Sequence, residues 1–271
     1  MKSFDEIIAG AQKIGPKRLA IAGRPNEELE EALAEAVAKG VATPVVFDTA
    51  ADAVAAVKSG QADTLMKGSV DTPDFMRAVL DRDKGLRSGQ LISHVIVMEA
   101  LGRLWLVTDS GIVPNPTLEE KAKIITNAIP IANALGIDMP KVAVLAAIEK
   151  VNPKMPETLD ADALSKMNLP GCVVQGPLAL DNAVSEEAAR TKGITGPVAG
   201  RADILLVPSV VVGNIFVKGL MYFSNCRVGG CVAGTSKPVT FSSRSDTPQT
   251  KFNTLTLGIL LSGGNRTESH A

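Results

Sequence analysis

Short runs of branched apolar residues alternate along this chain with longer segments whose apolar residues recur at helical spacing. Leu19–Ala22, for example, precedes a helical pattern that starts at Asn26 and stops at Gly40. Val142–Ile148 and Ile204–Val207 are nearly continuous apolar runs, which is typical of strands that are covered on both faces. The alternation predicts an α/β fold with largely parallel sheets.

The length of 271 residues suits one large or two modest domains with an ample core. A proline-rich stretch, Val113–Pro116, leads into Thr117–Glu120, which has the pattern of a capping box at the start of a helix. We therefore expect the chain to cross from one α/β domain to another near Val113–Pro116.

The charge balance argues against polyanionic partners. Lys and Arg number 28 against 29 Asp and Glu, and aromatic residues make up only 3% of the chain. Nucleic-acid binding usually needs a basic surplus or stacking aromatic rings. The most apolar tract, Ile204–Val217, is interrupted by Pro208 and Gly213 and is too short to span a bilayer. We expect neither a nucleic acid nor a membrane as a partner.

Three cysteines and two histidines leave little material for metal chemistry. Only Cys226 and Cys231 lie close together in sequence, whereas a structural zinc site needs about four ligands at close spacing. We therefore expect no metal site. The odd cysteine count, and a start at Met1–Glu6 without an apolar signal segment, predict a reducing, cytoplasmic location.

Several common catalytic motifs are missing from the sequence. There is no Gly-x-Gly for a Rossmann dinucleotide site, and residues 234–237 lack the spacing of a phosphate-binding P-loop. No Gly-x-Ser-x-Gly motif occurs, and a Ser-His-Asp triad would need His94 or His270. Because His94 lies within an apolar strand pattern, we interpret it as a hydrogen-bonded structural residue.

A polar loop between the last predicted strand and the last predicted helix is the strongest candidate for a ligand site. Val239–Phe241 is followed by Ser242–Asp246, and then by Thr247 and Pro248, which suit the N-cap and first position of a helix. Hydroxyls and the guanidinium of Arg244 are thus expected at a helix N-terminus, where backbone N–H groups favour an anion. The pattern predicts a phosphate site; the alternative is a solvated turn.

Three further loops carry weaker signals of the same kind. Lys67 and Gly68 follow a predicted strand, and a helix that contains Arg77 comes next, which again suits an anion. The other two loops are Gln175–Ala183 and Gly213–Asn214. We place Gly213–Asn214 before an apolar helix, where glycine would allow a ligand close to the backbone. Each of the three also fits an ordinary surface turn.

The candidate loops belong to a longer series of short motifs. In chain order the motifs are Leu65–Gly68, Asp74–Ala78, Thr108–Asp109 with Pro114–Pro116, Val151–Pro156, Gly176–Ala183, Gly196–Asp203, Gly213–Asn214 with Lys218, and Pro238–Asp246. The series covers most of the chain. It resembles the phosphate acetyltransferase and phosphate butyryltransferase family, and the butyryltransferase branch most of all.

The resemblance implies reversible transfer of a short acyl group, butyryl or acetyl, between coenzyme A and inorganic phosphate. Acyl-CoA and phosphate would be the substrates, coenzyme A would be a co-substrate, and no cofactor would be tightly bound. The resemblance further implies two α/β domains with an interdomain cleft, an isocitrate/isopropylmalate dehydrogenase-like architecture, and a homo-oligomer. Domain I would be discontinuous, residues 1–112 plus 236–271, and domain II would be residues 113–235.

The resemblance also suggests roles for individual residues. Ser243 would stabilise the negative charge that develops at the acyl carbonyl, and Arg244 would hold the phosphate. We assign Arg77 and Lys67 as further phosphate contacts, and Asp246 as the base for the coenzyme thiol. The residues that we predict to bind the coenzyme are Gly213, Asn214, Lys218 and Asp181.

Two departures from the family pattern keep alternatives open. Gln175 stands where the family usually has Asp, and Thr250 and Lys251 occupy the region where the acetyltransferase branch has an acidic residue. The chain could therefore be a non-catalytic or degenerate homologue that binds coenzyme A or phosphate. A third hypothesis is an NAD(P)-dependent oxidoreductase of related architecture, which would need a clustered carboxylate metal site. Covalent transfer through a cysteine is a further alternative to direct transfer.

Overall fold

The chain folds into alternating helices and strands, as a computed structural model describes for residues 1–263. Among those residues, none of the helices is both long enough and apolar enough to cross a membrane. The predicted α/β class is confirmed. In chain order the elements are α1 (Phe4–Ile14), β1 (Lys17–Ala22), α2 (Glu27–Ala38), β2 (Ala42–Phe47), α3 (Ala50–Lys58), β3 (Thr64–Lys67), α4 (Thr72–Val79), β4 (Ser93–Ala100), β5 (Arg103–Thr108), α5 (Leu118–Ala134), β6 (Lys141–Leu145), α6 (Pro156–Lys166), β7 (Val173–Leu178), α7 (Leu180–Val184), α8 (Glu186–Thr191), β8 (Ile204–Leu206), α9 (Val210–Ser224), β9 (Arg227–Ala233), β10 (Val239–Thr240) and α10 (Pro248–Gly263).

Contacts between residues divide the chain into two compact units. One contains Met1–Gln90 and the chain from Arg227 onward, and the other contains Leu91–Cys226. The first unit therefore combines residues from both ends of the sequence. We expect domain boundaries at 112/113 and 235/236, and these stay a prediction.

The first unit has a five-stranded arrangement in the order β2-β1-β3-β10-β9. β1 is parallel to β2 and β3, and β3 is parallel to β10, whereas β9 runs antiparallel to β10. Apolar side chains of β1, α2 and α10, among them Leu19, Leu29 and Phe252, form one buried cluster. Because β1, β3 and β10 are parallel, the loops that follow them emerge at the same edge of the sheet.

The second unit has the strand order β4-β5-β8-β6-β7. β4 and β5 form an antiparallel pair, and the remaining neighbours are parallel. The prediction of largely parallel sheets is confirmed. The parallel strands β6 and β8 are almost wholly buried, which explains why their sequences are continuous apolar runs.

Three helices, α2, α5 and α10, begin at the capping residues that the sequence predicts. The Asn26 side chain caps α2, and Thr117 and Glu120 form a reciprocal capping box at the start of α5. At the start of α10, the Thr247 hydroxyl accepts the Thr250 N–H at 3.2 Å. These contacts satisfy backbone N–H groups that the first turn of a helix leaves without an intrahelical partner.

The prediction that Gly213 and Asn214 form a loop before an apolar helix is wrong. Both residues lie inside α9, which begins at Val210. A Cβ atom on Gly213 would lie 2.9 Å from the carbonyl oxygen of Asp109, so the absence of a side chain lets α9 pack against that backbone. The glycine therefore serves helix packing, which sequence alone did not distinguish from ligand approach.

Candidate functional site

Three loops of the first unit lie side by side because the strands before them are parallel neighbours. Met66 in β3 is in register with Ile21 in β1 and with Thr240 in β10. The loops after β1 and β3 approach closely, since a Cβ atom on Gly68 would lie only 2.5 Å from the carbonyl oxygen of Gly23. The loop after β10 reaches the same edge from the other side of β3.

A cavity of about 340 Å³ opens among these loops. Small-molecule sites in proteins typically range from about 300 to 1,000 Å³, so this volume can hold a phosphate group and part of a larger ligand. Three of the predicted site residues, Lys67, Ser243 and Arg244, are brought together in its wall. The full set of lining residues is Asn26, Leu29, Lys67, Gly68, Ser69, Ser242, Ser243, Arg244 and Lys251.

The residues Ser243–Asp246 form a turn whose first and last residues are hydrogen-bonded to each other. Asp246 Oδ2 accepts the Ser243 N–H at 2.7 Å, and the Asp246 N–H donates to Ser243 O at 3.2 Å. The hydroxyl oxygens of Ser243 and Ser245 lie 3.1 Å apart. Ser243 and Arg244 are both exposed at this turn. Asp246, the residue predicted to act as a base, thus also shapes the turn.

Lys251, in the first turn of α10, is a site residue that the sequence reasoning missed. It is only 2% exposed, and its ammonium donates to Ser243 O and to Asp246 O, both at 2.9 Å. Burial lowers the pKa of Lys251, while the negative charges of Asp246 and Glu28 act in the opposite direction. The available signal was a single charged residue in a helix that is otherwise uncharged.

Lys67 is the second buried cation of the cavity. It is 7% exposed, and its ammonium donates to Gly68 O at 3.1 Å and to Val70 O at 3.2 Å. Burial lowers the pKa of Lys67, and the nearby positive charge of Arg244 lowers it further. These hydrogen bonds go to neutral carbonyl oxygens, as do those of Lys251, while Asp71 and Asp246 provide nearby negative charge that offsets the ammonium charges in part.

Arg244 is the exposed cation of the cavity. Its Nη2 lies 2.6 Å from Asp71 Oδ1, which joins the turn after β10 to the loop before α4. Solvent screens this pair, because both side chains are more than two-thirds exposed. Arg77, the other predicted phosphate contact, pairs with Asp74 on α4 at 2.7 Å and lies outside the cavity wall.

The arrangement suits a phosphate group. Two ammonium groups and a guanidinium supply positive charge in a partly enclosed space, where attraction for an anion is stronger than in bulk water. The Ser243 hydroxyl in the same wall can donate a further hydrogen bond. The carboxyl ends of parallel strands are also where open α/β sheets generally bind ligands.

The residues predicted to bind the coenzyme all belong to the second unit. Asn214 is exposed on α9, and Lys218 is half-buried on the same helix. Gly213 is buried on the packed face of α9 and has the packing role described above. Asp181 is half-exposed at the start of α7. Coenzyme binding by these four residues stays a prediction.

Asp181 belongs to an ion-pair network around Lys192. The Lys192 ammonium lies 2.9 Å from Asp181 Oδ2 and 2.6 Å from Glu149 Oε1. Hydrogen bonds from Lys192 lower the pKa of both carboxyl groups. The buried Asn182 side chain also donates to Glu149 Oε1, at 2.5 Å. The network connects the loop after β6 to α7 and α8, so Asp181 has a structural partner.

Gln175, which departs from the family pattern, fixes the loop that precedes β8. Its Oε1 accepts the N–H groups of Val198 and Ala199 at 3.0 and 3.3 Å, and its Nε2 donates to Thr195 O at 2.8 Å. A side chain at Gly196 would collide with the same amide. An aspartate could accept from the loop but could not donate to Thr195 O. Gln175 therefore has a structural role that depends on its amide.

The residues around His94 do not form a catalytic triad. His94 Nδ1 lies 3.1 Å from Ser110 Oγ, but the Asp109 carboxylate accepts backbone N–H groups, those of His94 and of residues 111–113. All three side chains are buried, and burial lowers the pKa of His94. His94 is thus hydrogen-bonded within a strand, as we interpreted it. His270 lies outside the described residues.

Metal and thiol chemistry find little support in the described part of the chain. Within residues 1–263, no group of three or more His, Cys, Asp or Glu side chains is placed to hold a metal ion. Burial raises the pKa of Cys172 and Cys226, and raises that of Cys231 to about 12. Thiols with raised pKa values are poor nucleophiles at neutral pH, which favours direct transfer over a cysteine intermediate.

The chain is similar to known proteins over most of its length. Residues 21–259 match the model of a family described as phosphate acetyl/butaryl transferase. The chain is 48% identical over 226 residues to a phosphate butyryltransferase of Clostridium acetobutylicum, which covers 81% of this chain and 75% of that protein. It is 46% identical over 211 residues to a phosphate acetyltransferase of Thermotoga maritima, which covers 76% of this chain and 72% of that protein.

Solved structures are similar as well. A branched-chain phosphotransacylase from Enterococcus faecalis V583 matches with a TM-score of 0.84 at 32% identity, covering 91% of this chain and 99% of that one. A putative 4-hydroxythreonine-4-phosphate dehydrogenase from Salmonella typhimurium matches with a TM-score of 0.52 at 13% identity, over 91% of this chain and 99% of that one. That second likeness concerns the fold alone, and it confirms the expected dehydrogenase-like architecture.

Proposed function

This chain belongs to the phosphate acetyl/butyryl transferase family and is a phosphate acyltransferase, and we propose that the cavity beyond β3 and β10 is its phosphate site. The reaction converts acyl-CoA and inorganic phosphate reversibly into acyl phosphate and coenzyme A. The observation that supports this site most is the pair of buried ammonium groups, Lys67 and Lys251, in one cavity wall with Ser243 and Arg244.

In the direction of acyl phosphate synthesis, a phosphate oxygen attacks the carbonyl carbon of the thioester. A C–O bond forms while the carbonyl oxygen takes up the electron pair of its π bond. The carbonyl then re-forms, and the C–S bond breaks with its electrons on sulfur. Arg244 and Lys67 hold the phosphate, which removes the entropic cost of bringing it to the thioester. The Ser243 hydroxyl donates to the oxyanion, where the negative charge develops.

The departing thiolate must take up a proton, and in the reverse direction the coenzyme thiol must lose one. An ordinary thiol has a pKa of about 8.5, so little thiolate is present at neutral pH and a nearby carboxylate would assist. We assign this role to Asp246. Because Asp246 Oδ2 also accepts the Ser243 N–H, its carboxylate has a second role in holding the turn.

For the coenzyme we propose the face of α9 that carries Asn214 and Lys218, together with Asp181. Asn214 offers an exposed amide, and Lys218 offers a cation suited to a coenzyme phosphate. Gly213 contributes by letting the helix pack closely. We further propose that the acyl group is butyryl or acetyl and that the protein acts as a homo-oligomer in the cytoplasm, with no tightly bound cofactor.

Two departures from the family pattern, at Gln175 and at Thr250, favour the alternative of a non-catalytic homologue, and the first of them also has a structural explanation. The hydrogen bonds of Gln175 to Thr195, Val198 and Ala199 account for that residue by a structural role. The second departure, the uncharged Thr250, remains. The oxidoreductase alternative has only a likeness of fold in its favour.

The experiment that tests the proposal is a series of acyl-CoA substrates, from acetyl to valeryl, incubated with and without phosphate. We expect thiol release that depends on phosphate, together with formation of the matching acyl phosphate. No phosphate-dependent release with any chain would overturn the proposal. Calorimetric binding of coenzyme A without turnover would then favour the non-catalytic homologue, and an NAD(P)-dependent absorbance change would favour the oxidoreductase.

A further inference from the structure

Lys251 occupies a position that is unfavourable for a cation. It lies in the first turn of α10, where the helix dipole favours negative charge, and it is 2% exposed. Burial of an ammonium group costs free energy unless it is well hydrogen-bonded. Residues 252–260, which follow Lys251 in α10, are buried and uncharged. A methionine at this position would avoid both costs, so the lysine needs another explanation.

The hydrogen bonds of Lys251 supply that explanation. Its ammonium donates at 2.9 Å to the carbonyl oxygens of Ser243 and Asp246, the first and last residues of the turn that contains Arg244. The Lys251 side chain therefore connects both ends of the turn to α10. The turn's own hydrogen bonds, between Ser243 and Asp246, fix its shape but do not attach it to the helix.

We propose that Lys251 is a positioning residue for phosphate transfer, whose ammonium holds the Ser243–Asp246 turn against α10 so that the Ser243 hydroxyl and the Arg244 guanidinium face the cavity together. This inference rests on the proposed function of the cavity. Lys251 affects phosphate indirectly, by positioning the turn, because its ammonium donates to the backbone carbonyl oxygens of Ser243 and Asp246. Its charge also adds to the positive potential that an arriving phosphate meets.

The chain offers a matched control for a buried lysine. Lys121 is 6% exposed, and its ammonium lies 2.6 Å from Asp160 Oδ2, joining α5 to α6 in the second unit. Replacement of Lys121 or Lys251 by Met removes one buried ammonium and keeps a flexible apolar side chain. A general loss of stability should therefore appear in both variants, whereas loss of phosphate positioning should appear only in Lys251→Met.

The test measures initial rates for wild type, Lys251→Met and Lys121→Met with phosphate and acyl-CoA varied separately. A misplacement of about 1 Å can cost roughly 100-fold in rate, so we expect kcat/KM for phosphate to fall by about that factor in Lys251→Met. The KM for acyl-CoA should change far less. Lys121→Met should keep the wild-type kcat/KM for phosphate, even if its thermal unfolding midpoint falls as much as that of Lys251→Met.

A second variant covers the case in which Lys251→Met does not fold. Lys251→Ala leaves space for a small amine, and added ethylammonium should restore phosphate turnover in a saturable manner, whereas ethanol should not. Lack of rescue in folded Lys251→Ala would overturn the inference. So would a wild-type kcat/KM for phosphate in Lys251→Met. If the wild-type protein itself shows no phosphate-dependent release of coenzyme A, the proposed function fails instead, and the two failures are distinguishable.

Discussion

Arg244 Nη2 lies 2.6 Å from Asp71 Oδ1, so the guanidinium assigned to phosphate is paired with a carboxylate from the neighbouring loop. An arriving phosphate would offer the same guanidinium a competing anionic partner. Because the pair is exposed and screened by solvent, exchange of one partner for the other costs little free energy. The ion pair therefore keeps Arg244 at the cavity without closing the site.

Arg244→Ala should lower kcat/KM for phosphate by about 100-fold, as expected for loss of a charged contact to a reacting group. Stability should fall by no more than about 1 kcal/mol, because exposed ion pairs contribute little. Steady-state rates and urea unfolding check both expectations. Arg201→Ala removes another exposed arginine–carboxylate pair, that with Glu186, and is the matched control. Equal activity of the two variants would remove Arg244 from the site.

Asp246→Asn separates the two roles of Asp246. The asparagine oxygen can still accept the Ser243 N–H, which Asp246 Oδ2 accepts at 2.7 Å, but the negative charge and the basicity are lost. We expect a loss of roughly 100-fold or more in kcat, typical of a general base, with little change in the thermal unfolding midpoint. Asp246→Ala should lower the midpoint as well. Full activity of Asp246→Asn would leave the turn as the only role of this residue.

Phosphate affinity and stability should respond to pH in opposite directions. Burial lowers the pKa values of Lys67 and Lys251 from 10.5 in the folded protein, whereas both return to ordinary values on unfolding. As pH rises through the lowered values, the folded cavity loses positive charge, so KM for phosphate should increase. In the same window the unfolded chain binds more protons, so the free energy of unfolding should increase with pH.

Phosphate kinetics and urea unfolding from neutral pH to 10.5 measure this pair of trends. Lys251→Met removes one of the two titrating groups, so both pH dependences should become shallower in that variant. A KM for phosphate that stays constant up to the ordinary lysine pKa would contradict the assignment of these ammonium groups to the phosphate site.

Gln175→Ala should destabilise the protein without affecting the phosphate site. The substitution leaves the N–H groups of Val198 and Ala199 and the carbonyl of Thr195 without their amide partner, at a cost of about 1–3 kcal/mol for each group that water does not reach. Urea unfolding and KM for phosphate are the measurements. Gln175→Glu keeps the acceptor but places a carboxylate against Thr195 O, so it should be destabilised too. A stable Gln175→Ala variant without turnover would point to a role in the coenzyme site instead.

The sequence predicts the local structure of each segment of the site better than it predicts which segments lie next to each other in the fold. The strand, polar turn and capped helix around Ser243 and Arg244 are all encoded within a few neighbouring residues, and the structure reproduces them. Lys67 is the last residue of β3 and leads into a second such loop. That these two segments meet depends on β10 lying beside β3, which is a property of sheet topology and not of local pattern.

The roles of Lys251, Gly213 and Gln175 depend on packing against residues that are distant or folded back in the structure, so local sequence patterns do not predict them. Lys251 differs from a surface lysine only because the turn that it holds folds back over α10. The local pattern at Gly213 predicts close approach of a ligand, because a glycine that accommodates a neighbouring backbone has the same local pattern. Gln175 is explained only when residues 195–199 are placed against it.

The insertion of β10 between β3 and β9 has a consequence for biosynthesis. Lys67 leaves the ribosome well before Ser243, Arg244 and Lys251, which share the cavity wall with it. A nascent chain that has completed every other strand still lacks the strand that brings Ser243 and Arg244 to Lys67. Catalytic competence should therefore arise only after β10 and the turn that follows it have been translated and folded, and truncation ahead of β10 should yield an inert product.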